Sequence, residues 1–129
     1  MGVTKIDLHR KDREFHDAYA LDNAEGVKLL LADYQKFVSR KRCGDYAAVE
    51  VLIDIHKAIE LAGLTDRQRQ AIELVYFGEL TQAEAGERIG IAQNTLSETI
   101  DRAAEKIADI YYYWAGHGEG YTTGGRING

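Results

Sequence analysis

Four side chains that could read nucleic-acid bases lie within six consecutive positions: Gln93, Asn94, Ser97 and Glu98. Glutamine and asparagine amides can pair with adenine through two hydrogen bonds, a serine hydroxyl can contact several bases, and a glutamate carboxylate can accept from cytosine. In a helix that begins at Gln93, all four positions fall in the first two turns. The pattern predicts base contacts in a DNA major groove if those turns project from the protein.

The segment LTQAEAGERIGIAQNTLSETIDRAAEKI, residues 80–107, predicts the elements that position these side chains. Thr81 and Glu84 have the spacing of a capping box and mark a helix start. Gly90 supplies a turn conformation that is costly for residues with a side chain, and Ile91 is expected to fill the angle between two helices. Small residues, Ala85 and Gly86, stand where these helices would approach most closely. The prediction is a helix-turn-helix whose second helix begins exposed.

The long last helix is expected to run from Gln93 to about Tyr113. Its inward-facing residues would be Leu96, Ile100, Ala103 and Ile107. A further helix should precede the helix-turn-helix, because Thr65 and Gln68 also have capping-box spacing and Gly78 can end a helix. The apolar face of that helix would consist of Ala71, Ile72, Val75 and Tyr76.

These residues resemble region four, the promoter-reading domain at the C-terminus of bacterial sigma factors, and the small phage regulators that share it. The resemblance covers LTDRQRQAIELVYFGELTQAEAGERIGIAQNTLSETIDRAAEKI, about a third of the chain. It includes the Leu-Thr-x-Arg-x-Arg start, the Leu-Thr-x-x-Glu cap and the Gly-Ile turn. The resemblance implies that the helix starting near Gln93 reads bases. It also implies phosphate contacts at Arg67, Arg69, Thr95, Arg102 and Lys106.

The charge distribution limits how such a domain could hold DNA. The net charge is −5, and residues 64–110 hold five Lys and Arg against nine Asp and Glu, whereas residues 1–42 hold nine against seven. Ala92 replaces the Ser or Thr that usually caps the reading helix, a loss of about 1 kcal/mol. Glu98 and Asp101 add negative charge to the face expected to meet phosphate. We therefore expect modest affinity per subunit, with help from dimerisation or from a partner such as RNA polymerase.

Outside this segment, the absence of proline and of alternating β-branched runs favours an all-α fold. One helix is predicted from about Asn23 to Arg42, with an apolar face of Val27, Leu30, Leu31, Tyr34, Phe37 and Val38. Asp45 should cap a second helix that ends near Ala62, with an apolar face of Val49, Leu52, Ile53, His56 and Ile59. Residues 7–20 could form a short helix through Leu8, Phe15 and Tyr19. The two helices between Asn23 and Ala62 form the N-terminal hairpin. The aromatic run Tyr111–Trp114 is expected to close the last helix against this hairpin.

Three parts are therefore predicted. Residues 1–62 form an N-terminal helical segment for packing or dimerisation, residues 63–115 form the DNA-binding domain, and residues 116–129 form a Gly-rich tail. The single cysteine, Cys43, and the absence of a secretory signal or of a long apolar run predict a cytoplasmic protein of a bacterial host cell, with no membrane association. The histidines have no metal-ligand spacing, and no nucleophile with a base is apparent. We expect no metal, no cofactor and no enzymatic activity.

The sequence thus predicts a sequence-specific double-stranded-DNA-binding transcription regulator, phage-encoded and acting as a homodimer or higher homo-oligomer. Two other hypotheses stay open. The first is the small DNA-recognising subunit of a phage packaging terminase, which also joins a helix-turn-helix to helical oligomerisation segments. The second is a polymerase- or regulator-binding module that makes no DNA contact.

Overall fold

The computed structural model describes residues 19–116, and all regular structure in this range is helical. The α-helices are α1 (Ala24–Ala32), α2 (Tyr34–Arg42), α3 (Tyr46–Leu61), α4 (Asp66–Ile72), α5 (Gln82–Ile89) and α6 (Gln93–Gly116). No strand occurs within residues 19–116, so the predicted all-α fold is confirmed there. The predicted helix over residues 7–20 lies outside the described residues apart from its last two positions. Of the predicted tail, only Gly116 is described, as the last residue of α6.

The first predicted helix is in fact two helices, so the prediction of a single helix from Asn23 to Arg42 was wrong. Asp33 separates α1 from α2, with φ −93° and ψ 10°. Its carboxylate accepts a hydrogen bond from the Tyr19 hydroxyl at 2.8 Å. Aspartate competes with the helical backbone for hydrogen bonds, and this tertiary contact holds it at the break. The apolar periodicity does not indicate the break, because it continues on both sides of Asp33. The buried residues on the two sides are Val27, Leu30, Leu31 and Phe37.

The helix α3 presents a different face to the core from the predicted one. Leu52 and Ile59 are buried as expected, but Ile53 is 58% exposed and His56 is also exposed. The buried residues of α3 are Ala47, Ala48, Leu52, Ile55, Ala58 and Ile59. The prediction favoured the bulkier side chains, whereas three alanines let neighbouring helices approach α3 closely. The predicted cap is confirmed, since the Asp45 carboxylate accepts hydrogen bonds from the amides of Ala47 and Ala48 at 3.0 and 3.2 Å.

The helix α4 begins at the predicted capping box and ends in an unpredicted way. The Thr65 hydroxyl accepts from the Gln68 amide at 3.1 Å, and the Gln68 side chain accepts from the Thr65 amide at 3.0 Å. After Ile72 the chain continues as a π-helical turn, Glu73–Phe77, closed by Gly78. Phe77 lies against the rings of Tyr34 and His56, with centroids 4.4 and 5.3 Å away. This turn therefore joins α4 to the hairpin of α2 and α3.

The helix α6 organises the core. It contacts α1, α3, α4 and α5, and one cluster of buried side chains runs from Leu21 to Trp114. The four predicted inward-facing residues, Leu96, Ile100, Ala103 and Ile107, are at most 1% exposed. Burial of each large apolar side chain contributes about 1.5–3 kcal/mol. Although α6 has 24 residues, neither it nor another helix in the described range is apolar enough to cross a membrane.

The end of α6 is closed by aromatic side chains. Tyr111 and Trp114 are buried, with ring centroids 5.2 Å apart, whereas Tyr112 is 69% exposed. Burial raises the pKa of Tyr111 well above its ordinary value, and the nearby Asp54 carboxylate of α3 adds to the increase. Tyr111 and Trp114 belong to the same buried cluster as Leu52 and Ile55 of α3, and α6 contacts α3, as the predicted packing of this run against the N-terminal hairpin requires.

Candidate nucleic-acid interface

The helix α5 and the turn that follows it are held by hydrogen bonds that the sequence pattern indicates. Thr81 and Glu84 cap the start of α5 reciprocally, with hydroxyl-to-amide and carboxylate-to-amide distances of 3.1 and 2.9 Å. Gly90 ends α5 in the left-handed region, with φ +90° and ψ 32°. The amides of Gly90 and Ile91 both donate to the Gly86 carbonyl, at 2.7 and 2.9 Å. The chain therefore leaves α5 and starts α6 after only three residues, as predicted.

The helix α5 and the turn approach each other closely at Gly86. A Cβ atom added at this glycine would lie 2.8 Å from the Ile91 carbonyl oxygen, a distance that real Cβ atoms essentially never show. Ala85 beside it is completely buried. The predicted need for a small residue is confirmed at Gly86, although the close neighbour is the turn of residues 90–92 and not the second helix as predicted.

The first two turns of α6 lie at the surface. Leu96 and Ile100 hold these turns against the core, at 0% and 1% exposure. The predicted base-reading residues point away from the core. Gln93, Asn94 and Glu98 are exposed, and Ser97 is half-buried. Within residues 19–116, no side-chain hydrogen bond or ion pair engages any of these four groups. Their donors and acceptors are therefore not used by any other side chain of the described range.

The five predicted phosphate contacts are not equally free. Arg67, Thr95 and Arg102 are exposed, and Arg69 and Lys106 are half-buried. The Lys106 ammonium donates to the Gln68 side-chain oxygen at 2.9 Å, the same oxygen that caps the start of α4. Lys106 thus ties α6 to α4, and a phosphate would have to compete with this hydrogen bond. Its phosphate contact stays a prediction.

Lys28 of α1 is a contributor to this surface that sequence reasoning missed. Its ammonium donates to the Asp101 carboxylate at 2.6 Å and lies 3.1 Å from Glu25. The hydrogen bond to Asp101 raises the pKa of Lys28, although partial burial acts in the opposite direction. The sequence predicts that Asp101 adds negative charge to the face that meets phosphate, and the structure pairs that carboxylate with the Lys28 ammonium. No local pattern could reveal this pair, because its members are 73 residues apart.

Carboxylates limit how much of α6 could lie along DNA. Glu98, Glu105 and Asp109 are all exposed and share one face of the helix with Arg102, at helical spacing of three and four residues. Glu105 lies twelve residues beyond Gln93, or about 18 Å along the axis. On this face, the Glu105 and Asp109 carboxylates would repel phosphates beyond Arg102. The geometry therefore favours an approach to DNA by the first turns of α6.

Comparison with known families supports the same segment. Residues 61–109 match the family model for sigma-70, region 4. The match spans α4, the π-helical turn, α5 and most of α6, and so includes every residue assigned above to base or phosphate contact. Region 4 is a DNA-binding helix-turn-helix domain and not an enzyme family, so the match supports a regulator of the DNA-binding kind. Comparisons with curated proteins and with solved structures gave no match.

Proposed function

Because residues 61–109 form a sigma-70 region 4-type helix-turn-helix, we propose that this chain is a sequence-specific, double-stranded-DNA-binding transcription regulator. One observation carries the proposal. The first two turns of α6 present Gln93, Asn94 and Glu98 to solvent while Leu96 and Ile100 anchor the same turns in the core. A helix end that is both anchored in the core and exposed is what entry into a major groove requires.

In the proposed complex, positioning and reading are separate tasks. Arg67, Arg69, Thr95 and Arg102, with Lys106 if it leaves Gln68, hold the protein on phosphates. Gln93, Asn94, Ser97 and Glu98 contact the base edges. Ala92 has no side chain that could cap α6, so the first amides of this helix are also available to a phosphate oxygen. Few cations take part, so we expect a weak salt dependence compared with strongly basic DNA-binding domains.

The low cation count also bears on assembly and partners. We propose that the protein acts as a homodimer or higher homo-oligomer, in the cytoplasm of a bacterial host, and that it is phage-encoded. Two copies would bind two half-sites, and their contacts would add to reach a useful affinity. A contact with RNA polymerase would serve the same purpose.

The first test is a pair of substitutions measured on a DNA site selected from a random pool. Asn94→Ala should reduce the preference for the correct base by about 1–3 kcal/mol at one position, because a bidentate contact is lost. Arg102→Ala should weaken binding evenly across sequences and lower the salt slope by about 1. Arg42→Ala, an exposed arginine at the end of α2, is the control. The assigned face is wrong if neither variant differs from this control.

A second candidate is a polymerase- or regulator-binding module without DNA contact. The observation in its favour is the acidic stretch of α6 that contains Glu98, Glu105 and Asp109. Capture of RNA polymerase by the chain in the absence of DNA, together with no selected DNA site, would favour this candidate. Selection of a defined site would exclude it.

A further inference from the structure

Apolar side chains form an exposed row along α3. Tyr46 is 75% exposed and Ile53 is 58% exposed. Val49, half-buried, and His56, exposed, continue the row. The four positions are spaced by three, four and three residues, the spacing of a seam that packs against another helix. A row of this kind, unlike a single exposed leucine, calls for an explanation.

The row borders a groove between α2 and α3. The groove has a volume of about 390 Å³ and is lined on the α2 side by Tyr34, Val38 and Lys41. The two helices are antiparallel, because Tyr34 at the start of α2 meets His56 late in α3, with the Tyr34 hydroxyl 2.7 Å from the His56 Nε2 atom. The groove can therefore accept the ridge of one more helix.

Four charged residues flank the groove and the row in a self-complementary order. Glu50 and Lys57 lie on one side of the row, seven residues apart on α3. Lys41 lies across the groove at the end of α2, and Glu60 continues the row at the opposite end of the groove. Within the described residues, none of these four side chains forms an ion pair. Each end of the groove therefore carries one cation and one anion that have no ion-pair partner among residues 19–116.

We propose that a second copy of this chain occupies the groove, with its α3 antiparallel to the first α3 about a two-fold axis between positions 53 and 54. Such an axis places Glu50 opposite the partner's Lys57, because both are 3.5 positions from it. It likewise brings Lys41 towards the partner's Glu60. Ile53 packs against its symmetry mate at the centre, in a self-complementary interface. The inference supplies the contact surface for the homo-oligomer in the proposed function, and it requires no DNA.

The test is the mass of the full chain in solution without DNA, from sedimentation or light scattering at micromolar concentration. The wild type should have the mass of two chains, and Ile53→Glu, which brings two carboxylates together near the axis, should have the mass of one. Leu29→Glu is the matched control, since Leu29 is equally exposed at 58% but lies on α1. It should stay dimeric. A monomeric wild type, a larger ring, or an Ile53→Glu dimer would each overturn the proposed interface.

Charge reversal tests the orientation. Glu50→Lys should weaken dimerisation about tenfold, because it places a cation opposite the partner's Lys57 at two symmetric sites. Combining it with Lys57→Glu should restore the wild-type dissociation constant to within about threefold. A double variant that dimerises no better than the single variant rules out the antiparallel register.

The DNA proposal is judged separately, on a single half-site. The Ile53→Glu monomer should bind this half-site as the wild type does and lose affinity only for a paired site. Failure of the mass experiment would leave half-site binding untouched. A wild-type chain that dimerises but binds no half-site would reject the DNA function and not the interface.

Discussion

Two helix pairs in this molecule are joined by linkers of equal length that produce different surfaces. Residues 43–45 connect α2 to α3, and residues 90–92 connect α5 to α6. Each linker contains one glycine in the left-handed region, Gly44 at φ +84° and Gly90 at φ +90°. A Cβ atom at either glycine would meet nothing within 4 Å. The two linkers therefore share a left-handed glycine. Both positions require the conformational freedom of glycine, not its small size.

The surroundings of the two linkers differ. In residues 43–45 the glycine is the middle residue, and Asp45 then caps α3 with its carboxylate. In residues 90–92 the glycine comes first, Ile91 packs against the core, and Ala92 provides no side-chain cap. After the first linker the exposed row is apolar, whereas after the second the exposed residues are amides and a carboxylate. Similar bends thus precede one surface that we propose binds a second copy of the chain and another that we propose reads bases.

The largest loss of stability is expected at Gly86, where α5 lies against the turn of residues 90–92. Gly86→Val should lower the free energy of unfolding by about 3 kcal/mol, because its side chain would collide with the Ile91 carbonyl oxygen, which cannot move without shifting the turn. Ala83→Val, at an exposed position of the same helix, is the control for helix propensity. Chemical denaturation measures both. Equal stabilities for the two variants would show that the turn is not tightly packed.

The helix-turn-helix was the most predictable part of the fold, because its signals are local. Thr81, Glu84 and Gly90 each act through neighbours within a few residues. The break at Asp33 and the exposed face of α3 could not be predicted in this way. The first depends on a hydroxyl from Tyr19, fourteen residues away, and the second depends on which neighbours the α3 alanines admit.

In the candidate site, too, local features could be predicted from sequence and contacts between distant helices could not. The exposure of Gln93 and Asn94 follows from the turn and could be anticipated from sequence. The engagement of Lys106 with Gln68 and of Asp101 with Lys28 joins helices that are distant in sequence. Periodicity cannot identify such pairs, since it specifies which face of a helix is buried but not which neighbour lies against it.

The left-handed glycine is the feature that the two linkers share. Gly90→Ala and Gly44→Ala should each lower the free energy of unfolding by about 1–2 kcal/mol, because both force a side chain into the left-handed region. Only Gly90→Ala should also weaken DNA binding, since it alone alters the position of α6. Stability is measured by thermal unfolding, and binding is measured on the selected site at a temperature where both variants are folded. Equal losses of binding would mean that affinity follows stability and not the placement of α6.

The smallest loss of stability is expected from removing the ion pair between Lys28 of α1 and Asp101 of α6. Lys28→Met keeps the apolar stem of the side chain but leaves Asp101 without its cation, and should lower the free energy of unfolding by about 1 kcal/mol. Lys36→Met is the control, because the Lys36 side chain is 74% exposed. Its ion pair with Asp33, at 3.5 Å, joins residues only three positions apart and so links no distant helices. A change within about 0.5 kcal/mol is expected there.

The pH dependence of this difference identifies its cause. The pKa of Lys28 is raised in the folded chain by its hydrogen bond to Asp101, so its stabilising contribution is complete below the ordinary lysine pKa and is lost as pH rises through the raised value. The stability difference between wild type and Lys28→Met should therefore be constant from about pH 7 to about pH 9 and disappear in more alkaline solution. A difference that persisted in alkaline solution would assign the effect to packing of the Lys28 stem. The negative charge of Asp101 would then be uncompensated and would oppose DNA binding.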